Sequence, residues 1–229
     1  MLLRLCVLMC LSLAGCGAGN AFRSFSADSS NFNPDERPLA TTFVYDCNGY
    51  EFIARLGPGE MAMWLPDQYV ILSQVRSASG TLYEEGDISF WSKGEEAILT
   101  VAGQSYLNCQ LQPERVPWED ARRRGVDFRA VGNEPGWHLE IQSGRQLLLV
   151  LGYGMQRNLV PDPVAIDRGT TRVYTGTAGT RDVQVEILEQ PCVDTMSGQQ
   201  FPYRVAVMFD NAHYEGCGQY LEYPWQDLE

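Results

Sequence analysis

From about residue 43 onward, apolar and polar residues alternate. Tyr50, Phe52, Ala54 and Leu56 stand two apart with polar neighbours between them, and Gly57-Pro58-Gly59 then turns the chain into Met61, Met63 and Leu65. A period of two puts every second side chain on one face of a strand. Tyr69 to Leu72, Ile88 to Trp91, and Ala97, Leu99 and Val101 continue the habit, separated by glycine-containing breaks. A second stretch repeats it: Trp137, Leu139 and Ile141; the apolar run Leu147 to Leu151; Val183, Val185 and Ile187; and Tyr203, Val205, Val207 and Phe209. The pattern predicts an all-β protein, a small antiparallel barrel followed by a second β-rich domain.

Two segments lack this periodicity. Residues 17–40 are rich in Ser, Asn, Gly and Asp and read as a tether. Between Gln112 and Arg124 two prolines precede Trp118 and the run Arg122-Arg123-Arg124, which marks a boundary. In acidic surroundings that run reads as a solvated helix or linker, not a nucleic-acid patch. The expected organisation is therefore a signal at 1–15, a tether at 16–40, a barrel domain at 41–112 and a β-rich domain at 118–223.

The start of the chain changes the picture from a free protein to an anchored one. Arg4 precedes an apolar run through Leu13 and Ala14 that is too short to span a bilayer and fits a secretory signal. The run ends in Leu13-Ala14-Gly15-Cys16, which resembles the bacterial lipobox. That resemblance implies acylation of Cys16 and a lipid-anchored mature protein, held to the membrane and not spanning it. Gly17 follows the cysteine where many lipoproteins of the inner membrane carry Asp, so an outer-membrane anchor facing the periplasm is expected.

Cysteine usage agrees with export. Cys6 and Cys10 leave with the signal and Cys16 is taken by lipid, leaving Cys47, Cys109, Cys192 and Cys217. None forms a Cys-x-x-Cys pair, and His138 and His213 show no metal-ligand spacing, so neither a metal nor another cofactor is expected. Three pairings are possible; Cys47 with Cys109 and Cys192 with Cys217 is favoured, because each bridge then staples one domain. On a loop-entropy account each contributes about 3 to 4 kcal/mol.

Chemistry gathers in one region. It contains Tyr45-x-Cys47-x-x-Gly49, then Ser79-Gly80-x-x-Tyr83, then Phe90-Trp91-x-Lys93-Gly94-x-Glu96-Ala97, and Tyr106-x-x-Cys109. Over about seventy residues these motifs resemble the MliC/PliC family, membrane-bound and periplasmic inhibitors of c-type lysozyme. The resemblance implies a small antiparallel barrel whose serine and lysine enter the lysozyme cleft. Carried over, those residues are Ser79 and Lys93, with Gly80, Tyr83, Trp91 and Gly94 beside them as expected contacts. It implies a c-type lysozyme as partner, a membrane reached through lipid, and a protein that is not an enzyme.

The residues read from below are compatible with that. Lys93 is the only lysine in the chain. A lysozyme cleaves with one protonated and one ionised carboxyl group, a site that accepts a cation. A compact ammonium on a flexible stem reaches a narrow carboxylate pair more easily than a planar guanidinium. A serine hydroxyl can donate to one carboxyl group and accept from the other. Residues 41–110 hold nine acidic side chains against Arg55, Arg76 and Lys93, a net charge of minus six. That balance suits a basic partner and argues against nucleic acid.

The second region is less informative. Gly132-Asn133-Glu134-Pro135-Gly136-Trp137, Cys192-x-Asp194-x-Met196-Ser197-Gly198 and Gly216-Cys217-Gly218 resemble an uncharacterised envelope domain, a likeness that implies no activity. Their glycines and proline are expected to mark turns, and Trp137 to anchor a core. Asp194, Ser197 and His213 supply the residue types of a hydrolase triad, but no Gly-x-Ser-x-Gly elbow surrounds the serine. The alternative function class is a non-catalytic adaptor that binds peptidoglycan or another envelope protein through this region.

Overall fold

The computed structural model describes residues 41–221. The expected signal at 1–15, the expected lipid-acceptor Cys16 and the expected tether lie outside the described residues. Nine strands make the first sheet: β1 (Thr41–Cys47), β2 (Tyr50–Gly57), β3 (Glu60–Trp64), β4 (Tyr69–Val75), β5 (Thr81–Glu85), β6 (Ile88–Lys93), β7 (Glu96–Val101), β8 (Gln104–Tyr106) and β9 (Gln110–Leu111). Each pairs antiparallel with its predecessor through β8, and β9 returns to the free side of β1, with Tyr45 opposite Leu111.

The register follows the period-two pattern. Phe52 and Ala54 on β2, Met61 and Met63 on β3, Phe90 on β6 and Leu99 on β7 point into one core. The rings of Tyr45 and Phe52 stack at 5.2 Å, and Phe90 meets Phe52 edge-on at 5.6 Å, so aromatic contacts hold the curled sheet together from inside. Cys47 and Cys109 are bonded and join the end of β1 to the segment after β8.

Eleven further strands follow the helix α1 (Val116–Arg123). Nine of them form the second antiparallel sheet: β10 (Phe128–Asn133), β11 (Gly136–Gln142), β12 (Gln146–Leu151), β13 (Gln156–Pro161), β14 (Val164–Arg168), β15 (Thr171–Ala178), β16 (Arg181–Leu188), β19 (Tyr203–Phe209) and β20 (Ala212–Tyr220). The order runs β13-β12-β11-β10-β20-β19-β16-β15-β14. The sheet curls until Val160 of β13 meets Gly176 of β15, where a Cβ would stand 2.4 Å from the valine Cγ1. Arg181 Nη2 reaches Asn158 Oδ1 across the same seam at 2.8 Å. The remaining pair, β17 (Cys192–Val193) and β18 (Gln200–Phe201), folds onto the back of β20, where Cys192 is bonded to Cys217.

The arginine-rich boundary is α1. It covers the outward face of β1, which explains why Thr42 and Val44 are buried although they point away from the barrel core. Thr42 Oγ1 donates to Asp120 at 2.7 Å. Arg122 is paired with Glu119, and Arg124 reaches both carboxylate oxygens of Glu140 at 2.8 Å. Glu140 also binds Arg129, whose guanidinium lies 5.5 Å from the Trp118 ring. These pairs occupy Arg122 and Arg124 within the fold.

One expectation about the second region is corrected. Gly132, Gly216 and Gly218 are not turn residues: they lie within β10 and β20. A Cβ on Gly132 would stand 2.2 Å from Trp137 Nε1, and one on Gly216 would stand 2.1 Å from the Val131 carbonyl oxygen. The Trp137 ring lies flat on these strands, 4 % exposed, and its Nε1 donates to the Glu215 carbonyl at 3.3 Å. Glycine is required there by close approach, not by turn geometry.

Candidate functional site

Strands β5 and β6 are neighbours, with Thr81 opposite Ser92. The loop entering β5 and the turn leaving β6 therefore stand side by side. The first carries Ser79 and Gly80; the second begins at Lys93, which faces Glu96 across Gly94-Glu95. Both turn positions use a left-handed backbone, φ +72° at Gly80 and +62° at Gly94.

Gly80 brings the two segments together. A Cβ at this position would stand 2.4 Å from the Ser92 carbonyl oxygen and 3.0 Å from Lys93 Cβ, so the backbone at Gly80 lies directly on the end of β6. Trp91 secures it, because its indole Nε1 donates to the Ser79 carbonyl at 2.8 Å. Ser77 Oγ donates to the same carbonyl at 2.7 Å. Two donors on one acceptor, plus the backbone contact at Gly80, fix Ser79 relative to Lys93. Both side chains are exposed, and among the described residues Lys93 makes no ion pair.

The other expected contacts divide. Trp91 is half-buried and Gly94 exposed, both at the same edge. Tyr83 is different: it is 6 % exposed and packed in the barrel core, and burial raises its hydroxyl pKa. Its place in this chain is to support β5 from inside, since its cross-strand partner Phe90 also points inward.

The disulfide bears on the same edge. The Cys109 amide donates to the Ala97 carbonyl at 3.2 Å, and Ala97 pairs with Ser92. The bridge thus pins the chain beside the Lys93 turn. A groove of about 680 Å³ opens there, between β7 and residues 107–113. It escaped sequence reasoning because Leu107 and Leu111 fall outside any periodic run; two large apolar residues on either side of a cysteine, one before the two-residue β9 and one within it, were its only signal.

In the second region Asp194 and Ser197 do meet, but as a turn. Ser197 Oγ donates to Asp194 Oδ1 at 2.8 Å, and the backbone amides of Met196 and Ser197 reach the same oxygen at 3.1 and 2.7 Å. Asn133 Nδ2 donates to Asp194 Oδ2 at 2.8 Å. His213 sits near the β19–β20 turn, opposite Met208. The serine donates to a carboxylate and not to an imidazole, which is not the arrangement of an activated nucleophile. Among the described residues no group of three or more His, Cys, Asp or Glu could hold a metal ion, and no helix is long and apolar enough to cross a membrane.

The first sheet and its edge thus define a class: a small disulfide-pinned antiparallel barrel that offers from adjacent turns an exposed serine and an exposed lysine with no ion pair among the described residues. A profile of the family described as "membrane-bound lysozyme-inhibitor of c-type lysozyme" (MliC) matches residues 45–108. The membrane-bound lysozyme inhibitor of C-type lysozyme from Escherichia coli (strain K12) is 32 % identical over 123 residues, covering 48 % of this chain and 94 % of the relative. The chain belongs to the MliC family. No solved structure gives a significant match.

Proposed function

We propose that this protein is an envelope lipoprotein that inhibits c-type lysozyme by inserting the Ser79 loop and the Lys93 turn into the catalytic cleft. The observation that carries the reading is the seating of Gly80 on β6, which brings the segment bearing the exposed Ser79 against the strand end bearing the exposed Lys93, a residue with no ion pair among the described residues. The target cleft presents one protonated and one ionised carboxyl group. The ammonium of Lys93 neutralises the ionised group, and the Ser79 hydroxyl donates to one carboxyl and accepts from the other. The cleft is then filled by groups that offer no glycosidic bond, so inhibition is competitive.

The rest of the chain serves that placement. Acyl chains on Cys16 and a tether over 16–40 hold residues 41–112 at the membrane, facing the periplasm from the outer membrane. The region 118–223 has no catalytic part in this reading. The test is the rate of cell-wall lysis by a c-type lysozyme titrated with the purified full-length chain, with g-type and i-type lysozymes as controls. Inhibition confined to the c-type enzyme and relieved by excess substrate is expected. Equal inhibition of all three, or none, would overturn the proposal.

A further inference from the structure

Beside the Lys93 turn the barrel wall is not closed by strand pairing. β8 joins β7 from Leu99 to Val101, and beyond Tyr106 the chain leaves the ladder, with the Cys109 amide returning to the Ala97 carbonyl. β9 on the far side pairs with β1. The groove of about 680 Å³ fills this gap. Trp91 and Gly94 form the end nearest the Lys93 turn, Ile98, Leu107 and Leu111 supply apolar wall, and Glu95 and Glu96 stand on the rim. Leu107 is 52 % exposed and Leu111 47 % exposed, whereas the core-facing leucines Leu72 on β4 and Leu99 on β7 are fully buried. The bridge Cys47–Cys109 holds one wall in place, so the groove is preformed.

We propose that this groove is a second contact surface for the same lysozyme, and that it receives a segment presenting an apolar side chain next to a lysine or arginine. The inference rests on the occlusion reading, and two observations select the occupant. The first is continuity: Trp91, which fastens Ser79, and Gly94, which follows Lys93, both line the groove. A body that takes Lys93 into its cleft therefore places the rim of that cleft over the groove. The second is charge: among the described residues the lining includes Glu95 and Glu96 and no basic side chain, which favours a cationic partner and repels an acidic one. Half-exposed leucines covered at the centre of a contact slow dissociation, while rim carboxylates speed association.

The test measures association and dissociation rates of the full-length chain with egg-white lysozyme. The charge-neutral double variant Leu107→Ser/Leu111→Ser is expected to dissociate about tenfold faster with little change in association rate. Glu95→Gln/Glu96→Gln is expected to associate several-fold more slowly at low salt, the difference closing at high salt. Melting curves verify the fold, and Leu107→Ala and Leu111→Ala, measured singly, serve if the double variant is unstable. Lys93→Ala separates the two claims. If Lys93→Ala weakens binding while the leucine variants dissociate as wild type, the groove proposal fails and the occlusion reading stands. If the leucine variants dissociate faster while Lys93→Ala binds as wild type, the groove contact stands and the cleft assignment falls. Wild-type rates in every variant overturn both.

Discussion

Gly80→Ala is the substitution on which the geometry of the edge depends most. An alanine at φ +72° costs about 1 to 2 kcal/mol relative to the glycine, because the left-handed region crowds Cβ against the backbone. The new Cβ would also stand 2.4 Å from the Ser92 carbonyl oxygen, which belongs to a paired strand and cannot step aside. Merely to reach the 3.0 Å that separates the same Cβ from Lys93 Cβ, the loop must back away from β6 by at least about 0.6 Å. That movement stretches the 2.8 Å bond from Trp91 Nε1 to the Ser79 carbonyl, a loss of about 1 kcal/mol. The total is about 2 to 3 kcal/mol, or about 5 to 10 °C in melting temperature for a chain of this size. Gly94→Ala is the internal control. It has nearly the same backbone, φ +62°, but no atom lies within 4 Å of its Cβ, so only the same backbone cost of about 1 to 2 kcal/mol applies, without the clash and the lost hydrogen bond. Thermal melting and a lysozyme titration of both variants decide the matter. Gly80→Ala should melt several degrees below Gly94→Ala and inhibit less, since Ser79 no longer keeps its distance from Lys93. Equal melting temperatures in the two variants would refute the close packing of Gly80 on β6.

Three other outcomes follow from the same structure. Trp91→Phe keeps the ring and removes the donor to Ser79; it should lower stability by about 1 kcal/mol in urea unfolding and weaken inhibition by more than that loss of fold explains. Glu140→Gln leaves Arg129, itself 7 % exposed, without its counter-charge, and should cost about 3 to 5 kcal/mol by the same assay. The His138 imidazole is pushed down to about 4, first by burial and then by Arg129, Arg157 and Arg124, with Glu140 opposing. Its folded pKa lies below the unfolded 6.5, so the unfolded chain binds more protons between those values. Stability from this group is complete above pH 6.5 and is lost as pH falls toward 4, and His138→Gln should flatten that part of the melting-temperature profile.

Much of the barrel was legible because an inward face repeats every second residue. Phe52, Ala54, Met61 and Met63 announce β2 and β3 by alternation alone, and Gly57-Pro58-Gly59 announces the turn between them. Alternation is weaker where both faces are covered. On β1, α1 buries Thr42 and Val44 from outside while Tyr45 and Cys47 face the core, so four of seven positions are buried and the period disappears. β14 shows the reverse: every residue is exposed, and it is held by its ladder to β15. The glycines of β10 and β20 read as turns because a sequence cannot show that Trp137, folded over from β11, needs their missing side chains. At the edge, Ser79 and Lys93 were picked out through the resemblance of their motifs to the MliC/PliC family, whereas the contact between Gly80 and Ser92 depends on the pairing of β5 with β6. Tyr83 belongs to the same motif as Ser79, and only the register distinguishes its inward position from the outward one of the loop.

The most direct measurement is the dissociation constant of the full-length chain for a c-type lysozyme, compared between wild type and Lys93→Ala at matched ionic strength. An ammonium buried against a carboxylate pair predicts a loss of about 2 to 5 kcal/mol, a weakening of about 30-fold to several thousand-fold, with the melting temperature unchanged because Lys93 is exposed and unpaired among the described residues. A Lys93→Ala protein that binds and inhibits as tightly as wild type would contradict the account.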